Sequence, residues 1–215
     1  MYALIYNNQI VVGPRDWNYN MFKQWFDDNG VSMDGFPRQN PNSSIISSSW
    51  KLLPVTITEP SYDSLLFQLA GPYLSINDTD VTGHFNVVEK PLDSIRNVIK
   101  EMVTNNRYLV EIIGKTVKLS DNSEVMAYTS RGDRTMYLDA LTLSTDESIY
   151  NFKFMDGKFK SVNKSDLQLI VAAVSSHVQM SFDWESSKHH ELDLCTTPSQ
   201  LVAVDIEHEL LKEVF

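Results

Sequence analysis

Cysteine and glycine are both scarce in this chain of 215 residues. Cys195 is the single cysteine, so no disulfide can form within the chain, and the fold must rest on its apolar core and on its partners. Only eight glycines are present, and none forms a G-x-G-x-x-G or Walker pattern. Nucleotide chemistry is therefore not expected, and we expect no cofactor.

Long apolar runs and basic clusters are also missing. No run approaches the ~20 residues of a membrane helix, and the first twelve residues lack the positive start of a signal peptide. The 18 basic residues are scattered among 28 acidic ones, for a net charge of −10. Proteins that bind nucleic acid usually gather Lys and Arg on one face. We therefore expect neither nucleic acid nor membrane as a partner.

Residues that can form a core are abundant: 42% of the sequence is hydrophobic, and aromatic residues make up 11% of it. A chain of this length holds one large domain or two small ones. Strand-like segments dominate before Lys90-Pro91, and helical periodicity follows it. We predict an α+β fold, with a β-rich N-terminal attachment module at 1–90 and a mixed helix and hairpin domain at 91–215.

In the N-terminal module, Asn7-Asn8 predicts a hairpin turn, because Asn tolerates positive φ. Asp16 is the predicted N-cap of a short aromatic helix that stops near Gly30. Residues 37–49 read as a loop, and Gly71-Pro72 as a turn. The predicted strands are 2–6, 9–12, 50–57 and 84–88. Pro54 within the third of them suggests an edge strand or a bulge.

In the C-terminal domain, the apolar spacing predicts helices at 92–112 and 131–143, with Gly114 ending the first. Hairpins are predicted at 116–128 and, through Asp156-Gly157, at 150–160. Asn163 should cap a helix, and Thr197-Pro198-Ser199-Gln200 has the spacing of a capping box for a last short helix. The apolar face of the helix after Asn163 consists of Leu167, Ile170, Val171, Val174, Val178 and Phe182.

Residues of metal-ligand and nucleophile type cluster near the C-terminus. His189-His190, Asp193 and Cys195 are all metal-ligand types, but zinc sites combine two spaced ligand pairs, and a solvated loop is the simpler interpretation. Cys195 precedes a helix that could lower its thiol pKa. Because Leu192 and Leu194 alternate around it, a half-buried structural thiol is favoured. We assign no metal site and no catalytic residue.

Local acidic pairs raise the question of glycan cleavage. These pairs are Asp27-Asp28, Asp78-Asp80 and Asp183-Glu185. A glycosidase holds two carboxyl groups ~5 to 10 Å apart across a sugar cleft, which proximity in sequence does not establish. We interpret the pairs as surface charge. Arg131-Gly132-Asp133 matches an integrin-binding tripeptide, but it is better explained as a helix-initiating turn.

The first helix carries more aromatic side chains than a short helix usually buries. They are Trp17, Tyr19, Phe22, Trp25 and Phe26. One interpretation is that they fill the small N-terminal core. The other is that some dock on a neighbouring subunit, because aromatic side chains dominate interface energies and strand edges can pair with another chain. These five residues are our candidate protein interface.

Residues 71–207 carry an ordered series of motifs. They are Asp80-Val81-Thr82-Gly83-His84-Phe85-Asn86-Val87, Lys90-Pro91-Leu92-Asp93, Asn106-Arg107-Tyr108, the strand Tyr150 to Phe154, Lys164-Ser165-Asp166-Leu167-Gln168, and Thr196-Thr197-Pro198-Ser199-Gln200-Leu201. In order and spacing the stretch resembles a family of uncharacterised domains in bacteriophage tail-fibre-associated proteins. The opening Met1 to Asn8, with Trp17-Asn18, is similar to the start of phage tail proteins.

The resemblance implies a virion protein at the baseplate or at the joint between tail and fibre, made in the host cytoplasm. It implies no catalytic residues, and it implies other tail, baseplate or fibre proteins as partners, with homo-oligomers in a symmetric assembly. Domains of this family often lie at the end of longer fibre chains. Here the module that precedes the domain, residues 1–90, has only about ninety residues, which favours an adaptor over a receptor-binding protein. A fibre-assembly chaperone and a glycan-degrading tail enzyme are the alternatives.

Overall fold

The computed structural model describes residues 1–16, 18–28, 44–45 and 49–212. The α+β fold class is confirmed, with 44% helix and 31% strand. The chain divides into two compact units, Met1–Lys90 and Pro91–Phe215, at the Lys90-Pro91 step. We call them the N-terminal unit and the C-terminal unit.

The N-terminal unit is a curled mixed sheet with one helix. Its elements are β1 (Tyr2–Tyr6), β2 (Gln9–Arg15), α1 (Tyr19–Asp28), β3 (Ser44–Ile45), β4 (Trp50–Thr58), β5 (Phe67–Ile76) and β6 (Val81–Glu89). The strand order is β2-β1-β4-β6-β5, with β3 beside β4. The predicted first hairpin is confirmed, and Asn7 and Asn8 have positive φ.

Pro54 lies in an interior strand of the sheet, at neither of the predicted alternatives, an edge or a bulge. The amide of Val55 donates to the carbonyl oxygen of Met1, the residue before β1, so the nitrogen of Pro54, one residue earlier, faces the opposite side of β4. On that side β3 pairs with residues 51–52, and β6 pairs from Val55 onward. Proline is tolerated because it occupies the gap between two partner strands, where no amide hydrogen is needed.

Gly71-Pro72 is not the predicted turn. Both residues lie within β5, at an irregularity between Ala70 and Tyr73 in the pairing with β6. Gly71 has a φ of +129°, and a Cβ there would lie 2.9 Å from the amide nitrogen of Tyr73. The step is therefore a bulge that a glycine makes possible, and the strand continues past it.

Helix α1 covers one face of the N-terminal sheet. Phe22 and Phe26 pack against Leu4 and Leu52, and the other face buries Ala3, Ile5, Leu53, Val55 and Val81. Asn18 caps the helix, since its Oδ1 accepts from the amide of Met21, so the predicted N-cap at Asp16 is wrong. The predicted stop at Gly30 lies outside the described residues, as does the loop at 37–49 except for 44–45 and 49.

The C-terminal unit combines helices with two hairpins. Its elements are α2 (Leu92–Ile112), β7 (Lys115–Lys118), β8 (Glu124–Ala127), α3 (Arg131–Leu143), β9 (Ile149–Lys153), β10 (Phe159–Asn163), α4 (Lys164–Leu194), α5 (Pro198–Ala203) and α6 (Glu209–Lys212). The predicted bounds of α2 and α3 are confirmed. The N-cap predicted at Asn163 is confirmed, and Asp166 completes a capping box with it at the start of α4. The capping box predicted at Thr197 and Gln200 is confirmed at the start of α5.

The core of the C-terminal unit forms where both hairpins meet α3 and α4. Its buried members are Val117, Leu119, Val125, Ala127, Tyr137, Phe152, Phe154, Val162, Leu167, Ile170 and Val174. Val178 is buried as predicted, but Phe182 is 45% exposed. The guanidinium of Arg107 lies 4.5 Å from the centre of the Phe182 ring, a cation–π geometry. The predicted apolar face thus ends one turn before Phe182.

We expect Phe26→Ala to lower the free energy of unfolding by about 3–5 kcal/mol, because it leaves a cavity between α1 and the sheet. Urea unfolding measures the change. Asn20→Ala, at an exposed position of the same helix, is the control and should shift stability by less than about 0.5 kcal/mol. Equal effects of the two substitutions would contradict the packing of α1 described above.

Candidate interaction surface

The aromatic residues predicted as an interface divide between core and surface. Phe22 and Phe26 are fully buried, so they fill the N-terminal core, and their assignment to an interface is corrected. Their position follows from the apolar sheet residues beneath them, which helix periodicity alone does not reveal. Trp17 and the side chain of Tyr19 lie outside the described part of the structure.

Trp25 is the member of the set that the structure places partly at the surface. Its ring meets Phe26 and Trp50 edge-on, each at a centroid distance of 5.5 Å. Tyr6 extends this stack, with its ring centroid 4.3 Å from that of Trp50. Trp25 is therefore a rigid, half-buried aromatic side chain supported from behind by other rings.

A groove of about 400 Å³ runs beside Trp25, between α1 and β2. It is lined by Val11, Val12, Gly13, Arg15, Met21, Gln24, Trp25 and Asp28. In the described part of the sheet, β2 is an end strand that pairs with β1. The groove therefore joins a strand edge to an apolar helix flank, and the charges of Arg15 and Asp28 lie on the same lining. We call it the β2–α1 groove.

The two strands that end the described part of the sheet each carry a Gly-Pro step. Gly13-Pro14 lies in β2 and Gly71-Pro72 lies in β5. Proline has no amide hydrogen to donate to a neighbouring strand, and irregular edges resist open-ended sheet growth. Each edge can thus accept a partner strand over a short segment rather than along its full length.

The predicted metal or thiol candidates lie on the last turns of α4, not in a solvated loop. His189 Nε2 is 3.2 Å from Lys100 O, and Lys100 Nζ donates to Asp193 at 2.6 Å, a bond that lowers the pKa of this exposed carboxyl. Cys195 follows the helix, buried, with its thiol donating to Glu191 O. Within the described residues, no three His, Cys, Asp or Glu side chains are placed to share a metal ion.

The acidic pairs have separate local partners. Asp27 forms an ion pair with Lys23, Asp80 accepts from Asn77 at 2.8 Å, and Asp183 accepts from Gln179. The Arg131-Gly132-Asp133 string forms the first turn of α3, where the Ser130 hydroxyl accepts from the amide of Asp133. That string is a helix start, as the sequence indicated.

A largely buried ion network was missed by the sequence reasoning. Glu111 is 8% exposed and accepts from both Arg107 and Arg134, the latter at 2.7 Å. Arg107 Nε also donates to Glu185 at 3.1 Å, and Thr104 donates to the same carboxylate. The network ties α2, α3 and α4 together. Only the i, i+4 spacing of Arg107 and Glu111 could have signalled it.

His177 is a buried base beside the same network. It is 2% exposed, and its Nε2 lies 2.8 Å from Val110 O, so Nε2–H donates and Nδ1 remains without a partner in the described structure. Burial lowers the His177 pKa, and Lys115 lowers it further, against the opposing effects of Val110 and Glu111. The ring lines a cavity of about 260 Å³ that Leu210 of α6 also lines.

His208 holds the short C-terminal helix α6 through a second neutral imidazole. Its Nδ1 accepts from the amide of Leu210 at 3.2 Å, and its ring lies 5.0 Å from that of Trp184. Burial lowers its pKa, with His177 acting in the same direction and Glu209 opposing. Both histidines are therefore neutral where the C-terminal unit is folded near pH 7.

Comparison with known proteins yields no relative for this chain. No family model matches it, and neither a curated protein nor a solved structure is significantly similar. Among the described helices, none combines the length and the apolar character needed to cross a bilayer.

We expect Glu111→Gln to lower the free energy of unfolding by about 3 kcal/mol, because two guanidinium groups lose their shared counter-charge in a largely buried site. Chemical denaturation checks this value. Glu101→Gln, at an exposed position on the same helix, is the matched control and should change stability by less than about 0.5 kcal/mol. An unchanged midpoint for Glu111→Gln would show that the network contributes nothing.

We expect stability to fall with acidification below about pH 6.5, the ordinary histidine pKa, because the unfolded chain then binds protons that buried His177 does not. The loss continues until the pH passes the lowered pKa of the folded state. His177→Gln keeps an amide donor for Val110 O and should reduce the fall of the thermal midpoint between pH 7 and pH 5, while His208, whose pKa burial also lowers, accounts for part of the fall that remains. His190→Gln, at an exposed site, should leave the wild-type slope, and identical slopes in all three proteins would refute the assignment.

Proposed function

We propose that this protein is a structural subunit of a tailed bacteriophage, an adaptor in the tail or baseplate that links tail and fibre components. The resemblance of residues 71–207 to tail-fibre-associated domains suggests the setting. The observation that carries the adaptor role is the β2–α1 groove, where an end strand and an aromatic helix flank lie side by side.

The chemistry of the groove suits a short extended segment of another protein. Main-chain groups of β2 can pair with such a segment, while Val11, Met21 and Trp25 accept its apolar side chains. Arg15 and Asp28 supply one charge of each sign on the lining, which can fix the direction of the bound segment. A half-buried Trp against a polar rim is also the usual composition of an interface hot spot.

The acidic groups of the C-terminal unit support a static role. Glu111 and Glu185 are engaged by arginines, Asp166 accepts from Ser120 and belongs to the α4 capping box, and Asp193 is engaged by Lys100. Side chains committed to such bonds hold helices in place. This use of charge suits a subunit that must keep its shape within an assembly.

A fibre-assembly chaperone is the second candidate, and it differs in one observable. A chaperone leaves before the particle matures, whereas an adaptor stays. A glycan-degrading tail enzyme, the third candidate, would release sugar from capsule or cell-wall polymer as purified protein. Quantitative mass spectrometry of purified particles and of the lysate, with a polymer-degradation assay, separates the three.

We expect the wild-type chain in purified particles at a fixed ratio to the tail proteins. Gln24→Arg places a long cation on the groove lining and should reduce incorporation at least tenfold while the lysate level stays constant. Asn20→Arg, on the same helix but off the lining, should incorporate normally. If the wild-type chain is present in the lysate but absent from particles, the adaptor hypothesis is wrong and the chaperone hypothesis is supported. If all three proteins are incorporated equally, the groove is not the binding surface.

A further inference from the structure

Helix α2 carries a second apolar stripe that faces solvent. Val98, Met102, Leu109 and Ile112 are 36%, 41%, 43% and 37% exposed. With the exposed Asn105 they follow the spacing four, three, four, three along the helix. Such spacing places all five on one narrow face, and Tyr108, 54% exposed, flanks it. We call these six residues the α2 stripe.

The inner face of α2 is already occupied within the C-terminal unit. Ile95, Ile99, Val103 and Val110 are buried, and Arg96 and Lys100 reach the end of α4. The helix therefore has two apolar faces, one packed and one exposed. A helix that packs on only one side ordinarily keeps its outer face polar.

The spacing of the α2 stripe indicates that a second helix would pack against it. Alternating steps of three and four residues are the seam of a coiled coil, in which each side chain fits a hole on a second helix. We propose that the stripe pairs with the α2 stripe of a second copy of this chain, in a parallel, in-register dimer. This inference rests on the C-terminal unit alone and does not depend on the proposed function.

Asn105 is the reason for choosing a second copy in parallel register. The spacing puts Asn105 at a d position of the seam, where two Asn side chains that face each other can each donate and accept a hydrogen bond. Parallel register sets Asn105 against Asn105 of the second copy. Antiparallel pairing would set it against Met102 or Leu109 and leave the amide without a partner.

The charges beside the stripe are compatible with this pairing. Glu101 is the charged residue that flanks the seam on the Tyr108 side. In a parallel pair, the flanking position of one helix faces the opposite flank of its partner. For Glu101 that position is Asn106, an amide whose Nδ2 donates to Ile206 O, so no like charges meet.

The exposed area is of the size that a weak dimer requires. The five apolar side chains together expose on the order of 400 Å² per copy, which is within the range of the largest apolar patch on a typical monomer, a patch that is often functional. Two copies with their polar neighbours bury roughly 1,000 Å², the lower bound for a specific interface. We therefore expect a dimer that dissociates in the micromolar range or above.

Cysteine cross-linking of the full chain tests register and direction. In a Cys195→Ser background that keeps Asn105, Met102→Cys brings two thiols face to face across the axis of a parallel pair and should give mainly covalent dimer under mild oxidation. Asn97→Cys, exposed on the same helix but off the α2 stripe, should give at least tenfold less. Equal yields at both positions would overturn the proposal.

Sedimentation equilibrium of the chain with its native Cys195 tests whether the stripe drives association. Leu109→Glu should raise the dissociation constant at least tenfold, because it buries a carboxylate against its copy. Met180→Glu, at an exposed site on α4, should leave the constant within twofold of wild type. A wild-type chain that stays monomeric to millimolar concentration, or one whose self-association Leu109→Glu leaves unchanged, would refute the α2 pair.

Discussion

Glu111 lies between the guanidinium groups of Arg107 and Arg134, and this shared carboxylate links α2 to α3, while Arg107 passes the connection on to Glu185 in α4. Charges so far removed from water are tolerated only when their partners stand in place. The network therefore acts on geometry more than on net stability, because a helix that slid by one turn would leave a buried charge unpaired. Hydrophobic contacts alone would permit more freedom.

That constraint determines what the C-terminal unit presents to its surroundings. Ile99 and Val103 are buried on the packed side of α2, and Arg107 is bound to Glu185. These contacts fix the rotation of the helix about its own axis, and so fix which residues face outward on the opposite side. Met102, Asn105 and Leu109 consequently stand in a line on a rigid support. A surface fixed before binding loses little conformational freedom on association, which favours specific contact even where the contact area is small.

The N-terminal unit obtains its rigidity from rings and strands instead of charges. Phe22 and Phe26 seal one face of the sheet, and Trp50 and Trp25 continue the packing outward to the β2–α1 groove. Gly-Pro steps in both end strands limit how far a neighbour can extend the sheet. The proposed adaptor role would require such limits, because unlimited edge pairing would produce aggregates rather than a closed assembly.

The sequence by itself determined the helices at 92–112 and 131–143 and the caps at Asn163 and Thr197, because periodicity and capping depend on residues within about four positions of one another. Sequence also indicated the hairpin at Asn7-Asn8. Tertiary structure alone decided that Phe22 and Phe26 are core, that Pro54 fills a gap between two partner strands, and that Glu111 meets Arg134 across 23 positions. Those outcomes depend on which distant segments become neighbours. Local patterns carry no information about that choice, since burial and charge pairing are properties of the whole packed chain.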